Sequence, residues 1–301
     1  MDKDITAVIK TFMRPEKFKV CLDATIKTGI NKIVVGYDGP DELLNIHKKI
    51  VEKQFKHANI KFCVYPFNIG ISVVRNSLLQ FVDTKYLLQL DDDVAIPRNV
   101  LDVIPFLEEH DEIGAVGIGQ LPLVKRCLPL IEAFDIEIVN KYLFRTFDDG
   151  KYYEINNDLL FMGYFDFIPN NAVFKRELFN NVKWDNNFVI WGDHVDFFLQ
   201  AKYNTKWKFA VCMSLYSIHD AGGDTNFKVY RYGIESIKAK HYLYKKWNLK
   251  GMIPNSPVPY LLDGDYYFNS IIRQNETTVE KINEDKILPK YYINAPNEHY
   301  L

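Results

Sequence analysis

The chain has 301 residues, of which 48% are hydrophobic and 25% are charged, with a formal net charge of −2. This length is sufficient for one large α/β domain with an appendage or for two domains, while the weak charge gives no general electrostatic reason to expect a nucleic-acid-binding protein. The sequence contains no apolar run of about 18 residues, so no ordinary transmembrane helix is expected.

The first 115 residues alternate between strand and helix patterns. Buried strands are predicted at residues 5–10, 33–36, 60–65 and 86–90, with helices over residues 15–28, 41–57 and 70–82 between them. Strands that alternate with helices of this length form a mostly parallel sheet with helices on both faces. We therefore expect an α/β fold of the nucleotide-binding, Rossmann-like type in this half.

The alternation fails between residues 119 and 160, which we interpret as a substrate-side insertion with a hairpin-type turn at Asp148-Asp149-Gly150. Further elements are predicted after it: a strand at residues 165–168, a short helix from Lys175, a helix over 193–203, strands over 207–213, and helical structure over 225–247. The prolines between residues 254 and 259 predict a linker or an extended arm.

Three consecutive carboxylates, Asp91, Asp92 and Asp93, follow the predicted strand at residues 86–90. Acids at the carboxyl end of a buried strand open into the usual ligand crevice of an α/β fold, and their mutual repulsion calls for a cation. Hard oxygen ligands suit Mg²⁺ or Mn²⁺, which keep part of their coordination shell for water and phosphate oxygens. The alternative is a solvated acidic turn or the N-terminal cap of a helix.

No glycine-rich phosphate loop follows the first strand, where the chain reads Lys10-Thr11-Phe12-Met13-Arg14-Pro15. Neutralisation of a bound phosphate would therefore come from a metal ion or from basic side chains. The carboxylate triplet is the natural holder of such a metal.

Four segments, in this order and spacing, resemble the GT-A glycosyltransferases of the family 2 type. They are Lys10 to Pro15, Gly36-Tyr37-Asp38-Gly39, Asn68-Ile69-Gly70 leading to Arg75-Asn76, and Leu90-Asp91-Asp92-Asp93. The resemblance covers about residues 5–220. It implies a GT-A catalytic domain over residues 1–222, divided into a nucleotide-binding half (1–115) and an acceptor-binding half (116–222), with a C-terminal helix and extended arm over 223–301.

The resemblance implies that Thr11, Arg14 and Asp38 hold the nucleobase. A carboxylate is a suitable acceptor for the imide N–H of uracil, although Asp38-Gly39 on its own is also typical of an ordinary turn. Arg75 would lie near the nucleotide; the alternative is an arginine on a helix surface.

In the same family pattern the three acids form the DXD motif at the donor. Asp91 would face the ribose and Asp92 would also belong to the donor site, while Asp93 would ligate the metal together with Asp91. The segment Ile218-His219-Asp220 has a histidine where related enzymes complete the metal shell, so His219 is a candidate third ligand. A lone histidine is otherwise more often structural.

A second cluster, Trp191-Gly192-Asp193-His194-Val195-Asp196, resembles the segment that opens the acceptor-side helix and lines the donor site of these transferases. Inverting members place there a carboxylate that takes the proton of the acceptor hydroxyl. Asp193 is the first choice. Because this chain lacks the adjacent acidic pair of many relatives, the base remains open among Asp193, His194 and Asp196.

Two further segments are candidates for substrate or membrane contact. Pro169-Asn170-Asn171-Ala172 resembles the lining of the sugar pocket, where Asn170 and Asn171 can bond sugar hydroxyls. The lysines and aromatic residues between 237 and 250 are compatible with peripheral contact to an anionic membrane, although a packed helix with solvated lysines is the preferred interpretation.

The sequence thus predicts a Mn²⁺- or Mg²⁺-dependent transferase that moves a sugar from a nucleotide donor, a UDP-sugar, to a hydroxyl of a glycan or glycoconjugate, with inversion at the anomeric carbon. Nucleotidyl transfer is an alternative, but it predicts a triphosphate loop that is absent from the sequence. A non-catalytic glycan-binding module is another, and it predicts no metal-dependent nucleotide affinity. No secretory signal is recognised and the four cysteines are widely separated, so we expect a cytoplasmic protein with reduced thiols.

Overall fold

The structure is a computed structural model that describes residues 4–122, 132–146 and 151–253. In its first part, strands and helices alternate as predicted. The elements are β1 (Ile5–Thr11), α1 (Pro15–Lys27), β2 (Lys32–Tyr37), α2 (Asp41–Lys49), which continues into a π-turn (Ile50–Gln54), β3 (Ile60–Val64), α3 (Ile71–Leu78) and β4 (Tyr86–Asp91).

The helix α1 illustrates why the sequence forms these elements. Pro15 occupies its first turn, where a missing N–H costs no hydrogen bond, and Glu16 and Lys27 complement the helix dipole at the two ends. Phe18, Cys21 and Leu22 share one face and are buried against the sheet. Helical spacing of apolar residues therefore predicted both the helix and its packed face.

The second part is richer in strands. Its elements are β5 (Val94–Ala95), α4 (Ile104–Glu109), β6 (Ile113–Pro122), β7 (Asp135–Val139), β8 (Tyr142–Thr146), β9 (Tyr152–Asn156), β10 (Leu159–Phe165), β11 (Ala172–Lys175), α5 (Asp193–Asn204), β12 (Lys208–His219), α6 (Thr225–Arg231), α7 (Ile234–Lys246) and β13 (Gly251–Ile253). The short helix predicted from Lys175 is a 3₁₀ turn, Arg176–Asn180.

The described strands form a ten-stranded central sheet with the order β3-β2-β1-β4-β11-β6-β12-β10-β9, to which β5 adds by pairing with β12. The predicted nucleotide-binding side, from β3 to β4, is parallel throughout. On the other side β11, β10 and β9 run antiparallel to their neighbours, whereas β12 is parallel to β6. Buried apolar clusters cover both faces of the sheet, so the α/β prediction is confirmed.

Regular structure extends into the region where the sequence predicted an irregular insertion. Between residues 119 and 160 the described chain forms the end of β6 and the strands β7, β8 and β9. β8 pairs with β7 on one side and with β13 on the other in a small separate sheet. Two tight turns connect the hairpins: Asn140 and Lys141 lie at φ 50° and 70°, and Asn157 and Asp158 at φ 47° and 62°. The predicted turn at Asp148-Asp149-Gly150 lies outside the described residues.

The helical region predicted over 225–247 consists of two helices that break at Gly233. A Cβ atom at Gly233 would lie 2.2 Å from the carbonyl oxygen of Val229, so the close approach of the chain requires glycine there. The helix α7 buries Ala239 and Leu243, which supports packing as one role of this basic segment. The predicted linker between residues 254 and 259 lies outside the described residues.

Three thiols of the described chain are unpaired, with Cys21 and Cys212 buried and Cys63 half-buried, as expected for reduced cysteines; Cys127 lies outside the described residues. Burial raises the pKa of the Cys212 thiol to about 11, since the neighbouring backbone hydrogen bonds offset the effect only in part. None of the helices in the described ranges is both long enough and apolar enough to cross a membrane.

Candidate active site

The carboxyl ends of β1 and β4 bring the predicted donor residues together. The two strands are parallel neighbours, and their register pairs Lys10 with Asp91. Residues that follow β1, including Arg14, therefore lie beside the acidic triplet that follows β4. This edge of a parallel sheet is where α/β proteins bind ligands.

Asp92, the middle acid, is enclosed by protein donors and is only 2% exposed. Its Oδ2 accepts hydrogen bonds from the Thr11 hydroxyl at 2.8 Å and from the Phe12 backbone N–H at 3.3 Å, and its Oδ1 accepts from Arg14. Thr11 and Asp92, both predicted at the donor, thus bond to each other, and their bond ties the loop after β1 to the loop after β4.

Arg14 bridges two of the three acids. Its Nη1 donates to Asp93 Oδ2 at 2.6 Å and to the Gly222 carbonyl at 3.0 Å, while its Nη2 donates to Asp92. The guanidinium also lies over the Phe227 ring, 4.4 Å from its centroid. The family resemblance implied that Arg14 holds the nucleobase, whereas its contacts lie at the metal end of the predicted site.

Asp93 and His219 meet because β5 pairs with the end of β12. His219 is in register with Val94, and its Nε2 lies 3.4 Å from Asp93 Oδ2. Burial raises the pKa of the Asp93 carboxyl, but the Arg14 charge and the His219 hydrogen bond outweigh burial and hold it well below its usual range. Burial lowers the pKa of His219, yet its bond to Asp93 raises it overall.

A metal site depends on the side-chain donors that the fold brings together. Across residues 4–122, 132–146 and 151–253, no group of three or more histidine, cysteine, aspartate or glutamate side chains is arranged to hold a metal ion. Asp93 and His219 nevertheless offer a carboxylate oxygen and an imidazole nitrogen side by side, a combination that Mn²⁺ accepts. An ion that completes its shell with phosphate oxygens and water needs only one or two such protein ligands, so the pair fits a nucleotide-bound ion.

Arg75 joins the end of β4 to the start of α5. Its guanidinium is 1% exposed and pairs with Asp91 at 2.7 Å and with Asp193 at 2.5 Å. These three residues come from α3, β4 and the first turn of α5. Burial raises the pKa of Asp91, but the Arg75 charge outweighs burial and lowers it. Arg75 was predicted near the nucleotide, and this stays a prediction; the alternative of an arginine on a helix surface is incompatible with its burial.

Asp193 and His194 face the same region. His194 Nε2 lies 3.7 Å from Asp193 Oδ2, and the His194 side chain is 29% exposed against 3% for Asp193. With the Asn170 amide oriented to satisfy its neighbours, its oxygen accepts from Arg75 Nη2 at 2.6 Å and its nitrogen donates to His194 Nδ1 at 2.7 Å. Burial lowers the pKa of His194, which favours the neutral form of its imidazole.

Asp196 has a different set of partners from Asp193. Its carboxylate is 0% exposed and accepts from Lys246 at 2.8 Å, from the Trp247 indole N–H at 2.8 Å and from Gln200 at 2.6 Å. Burial raises the pKa of Asp196, and these donors offset the effect only in part. The structure therefore brings Asp193 and His194 together at Arg75 and uses Asp196 to join α5 to α7.

The end of β2 carries the residue predicted at the nucleobase. Asp38 is buried, pairs with Lys10 Nζ at 2.9 Å and accepts from the Gly70 N–H at 3.3 Å. A Cβ atom at Gly39 would lie 2.0 Å from the Phe12 carbonyl oxygen, so this turn requires glycine. Asp38 therefore anchors the first turn of α3 beside the β1 loop.

An aromatic group lies next to this turn. The Phe12 and Phe67 rings stack with their centroids 5.8 Å apart, and Tyr230 of α6 meets both rings edge-on at 5.7 and 5.4 Å. Phe67 is 48% exposed, which leaves an aromatic face open to solvent beside Asp38.

Two further predicted residues, Asn171 and Trp191, determine the backbone conformation around the site. Asn171 is buried, and its Oδ1 accepts from the Asp91 backbone N–H at 3.0 Å, which fixes the end of β4. Trp191 and Gly192 adopt φ of 66° and 80°. Two successive left-handed residues turn the chain so that α5 starts at Asp193.

Sequence reasoning missed several partners of these residues. Asp38 pairs with Lys10, Arg14 contacts Gly222 and Phe227, and Asp196 contacts Lys246 and Trp247. The charge of Glu132 also acts on His219. The pattern of charged residues along the sequence does not reveal these contacts, because each joins residues far apart in the chain. Only Lys10 had a local signal, since a lysine in an otherwise buried strand needs an acidic partner.

Comparison with known proteins gives one family match and one curated relative. The model described as Glycosyl transferase family 2 matches residues 6–183, more than half of the chain. The mouse (Mus musculus) protein named beta-1,4 N-acetylgalactosaminyltransferase 2 is 31% identical over 114 residues. That match covers 38% of this chain and 21% of the mouse protein, so the chain spans about a fifth of the length of that relative.

Two solved structures share the fold. The S. aureus TarS 1-349 structure aligns with a TM-score of 0.51 and 17% identity over 72% of this chain and 60% of that one; TarS 1-349 has also been solved with UDP-GlcNAc. The mannosyltransferase PcManGT from Pyrobaculum calidifontis, in complex with GDP-Man and Mn²⁺, aligns with a TM-score of 0.52 and 12% identity over 76% and 61% of the two chains.

Proposed function

Because the chain belongs to glycosyl transferase family 2, we propose that it transfers a sugar from a nucleotide-sugar donor to a hydroxyl group of a glycan or glycoconjugate. One observation carries this proposal. Arg75 binds Asp91 on the donor side and Asp193 on the acceptor side at 2.7 and 2.5 Å. A single buried guanidinium thus joins the two carboxylates that a sugar transfer between donor and acceptor would use.

The donor is a UDP-linked sugar, and an N-acetylhexosamine is the first candidate. The named activity of the mouse relative and the UDP-GlcNAc complex of TarS support this choice. The GDP-Man complex of PcManGT makes a guanine nucleotide the alternative to be tested. Asp38, with the aromatic face of Phe67 beside it, is the proposed nucleobase contact.

The diphosphate lies at the Asp93 end of the site. Asp93 and His219 would hold Mn²⁺ or Mg²⁺, which when bound would neutralise the diphosphate and stabilise the negative charge on the departing nucleoside diphosphate. Asp91, held by Arg75, is left to contact the donor ribose. The residues from 1 to 115 form the proposed donor half, and those from 116 to 222 the acceptor half.

Asp193 is the proposed general base. Its carboxylate takes the proton of the acceptor hydroxyl while that oxygen attacks the anomeric carbon and the bond to the nucleoside diphosphate breaks. Direct displacement inverts the anomeric centre, so α-linked donors give β-linked products. Arg75 and His194 orient the carboxylate, and Asn170 orients His194.

A donor-turnover assay tests the proposal. We expect nucleoside diphosphate release from one UDP-sugar, in the presence of Mn²⁺ and an acceptor glycan, to fall at least 100-fold in Asp93→Ala. The exposed acid Asp23, which pairs with Lys27 on α1, provides the control variant Asp23→Ala. Turnover that survives in Asp93→Ala, or a complete lack of turnover with every nucleotide-sugar in the wild type, contradicts the proposal.

A further inference from the structure

Two arginine side chains of the protein already neutralise the acidic triplet, and their surroundings differ. Arg75 is buried and holds Asp91 and Asp193. Arg14 holds Asp92 and Asp93, and its side chain is 13% exposed. The oxygen that Arg14 contacts, Asp93 Oδ2, is the same atom that lies 3.4 Å from His219. Arg14 therefore occupies the carboxylate oxygen that belongs to the proposed metal pair.

The remaining contacts of Arg14 are weaker than its two ion pairs. It donates to the Gly222 carbonyl at 3.0 Å and stacks on Phe227 of the short helix α6. Its Nε atom is buried and has no hydrogen-bond partner among the residues that the structure describes. A buried guanidinium N–H without an acceptor is costly, so an anion arriving at this end of the site would satisfy a donor that the protein leaves unused.

We propose that Arg14 is the resident cation of the Asp92 and Asp93 carboxylates in the donor-free protein, and that a divalent ion reaches Asp93 only when the guanidinium releases it. This inference rests on the proposed function, because it concerns the same donor site. A nucleoside diphosphate supplies the phosphate oxygens to which a guanidinium binds most strongly. The released Arg14 would exchange one anionic partner for another, so metal and nucleotide would bind cooperatively.

Charge arithmetic explains why competition is expected rather than joint binding. A guanidinium and a divalent ion at the same carboxylate oxygen would bring three positive charges into contact at a buried site, where repulsion is weakly screened. If Arg14 stays on Asp92 alone, Asp93 becomes free while the β1 loop remains anchored through Thr11. The bridge to Asp93 is therefore the contact that must break.

The direct test measures Mn²⁺ binding to the nucleotide-free protein from the electron paramagnetic resonance signal of free Mn²⁺. We expect Arg14→Gln to bind Mn²⁺ at least tenfold more tightly than the wild type. Lys17→Gln is the matched control, because Lys17 pairs with Asp220 at 3.0 Å and its removal also deletes one nearby positive charge. A gain no larger than that of Lys17→Gln, or a loss of affinity in Arg14→Gln, overturns the proposal.

The conservative variant Arg14→Lys guards against misfolding, since lysine keeps the charge but cannot bridge two carboxylates as a planar fork does. The Mn²⁺ affinity of Arg14→Lys should lie between those of the wild type and Arg14→Gln, and an affinity equal to that of the wild type overturns the proposal. Adding UDP should raise the Mn²⁺ affinity of the wild type at least fivefold more than that of Arg14→Gln. If UDP binds and sugar is transferred without this difference, the inference fails while the proposed function stands; if no nucleotide binds, the proposed function fails.

Discussion

At the scale of single residues, counter-charges define the site. The three acids after β4 are neutralised by Arg14 and Arg75, which approach from the loop after β1 and from α3. The sequence predicted that a cation must be present but could not identify which one, because an ion pair between residues 14 and 93 leaves no periodic or local signature. Lys10 in its buried strand did indicate an acidic partner, but the sequence could not identify Asp38 as that partner.

The choice of the base can be resolved at this scale. Asp193→Asn should retain UDP binding and lower the turnover number at least 100-fold, because an amide cannot accept the hydroxyl proton. His194→Gln keeps a polar side chain beside Asn170 and should lower turnover less than tenfold. The turnover numbers of both variants are measured as initial rates at saturating donor, and their UDP affinity is measured by calorimetry.

The dependence on pH adds a second readout. Because burial lowers the pKa of His194, this imidazole stays neutral down to below its usual titration range. If His194 were the base, turnover would fall as the pH drops through that lowered pKa, and His194→Gln would abolish both the turnover and this limb of the profile. That result would contradict the assignment of Asp193.

At the scale of elements, the spacing of apolar residues predicted the positions of helices and strands better than the turn-forming residues predicted the turns. The helices α1, α3 and α5 and the strands β1 to β4 were placed from apolar spacing within a few residues. The region from 119 to 160 was predicted to be irregular because the alternation of strands and helices fails there. Its two hairpin turns, Asn140-Lys141 and Asn157-Asp158, lack glycine, although asparagine favours left-handed turn positions. The pairing of β12 with both β6 and β5 also depends on contacts distant in sequence.

The junction of α5 and α7 should be a stability element. Lys246→Met leaves the buried Asp196 carboxylate without its cation, while Trp247 and Gln200 keep their bonds. Breaking a buried ion pair costs roughly 3 kcal/mol or more, and the partial exposure of Lys246 reduces this to about 2 kcal/mol. Urea unfolding measures the loss, and Lys245→Met on the exposed face of α7 is the control. An equal effect of both variants would contradict this role.

Lys246 has a second partner, Asp185 in the segment before α5, and this pair predicts that the stability of the fold depends on pH. Burial raises the pKa of Asp185, but Lys246, the Asn187 backbone and Tyr242 outweigh it and lower it to about 2. Because this pKa lies below that of the unfolded chain, the pair stabilises the fold above about pH 4 and its contribution is lost as the pH falls toward 2. After solvent screening it is worth at most about 1 kcal/mol.

Urea unfolding of the wild type and Asp185→Asn at about pH 6 and about pH 3 measures this contribution. The difference in the free energy of unfolding should shrink at the lower pH. A difference that grows as the pH falls would have the wrong sign for a lowered pKa.

At the scale of the whole molecule, residues far apart in the chain meet at the candidate site. Arg75 of α3 contacts Asp193 of α5, and Arg14 donates to the carbonyl of Gly222 beyond β12. Order and spacing of four short segments predicted the family, because each follows a strand end and the sheet brings those ends together. The donor sugar and the acceptor could not be predicted, since the residues that bond them are not marked by any spacing.

Two predictions about the whole molecule came from local features of the sequence. Cytoplasmic location was inferred because no secretory signal is recognised and the cysteines are widely separated, and peripheral membrane contact from the lysines and aromatic residues between 237 and 250. One of these lysines, Lys246, pairs with Asp196 within the fold.

The most direct measurement is thermal unfolding with UDP, GDP, CDP and dTDP, each with and without Mn²⁺, on the wild type and Asp93→Ala. A ligand that binds only the folded state raises the midpoint. We predict a rise with UDP that requires Mn²⁺ and disappears in Asp93→Ala. An unchanged midpoint with all four nucleotides, or a Mn²⁺-independent rise that Asp93→Ala retains, would contradict the metal-assisted nucleotide site.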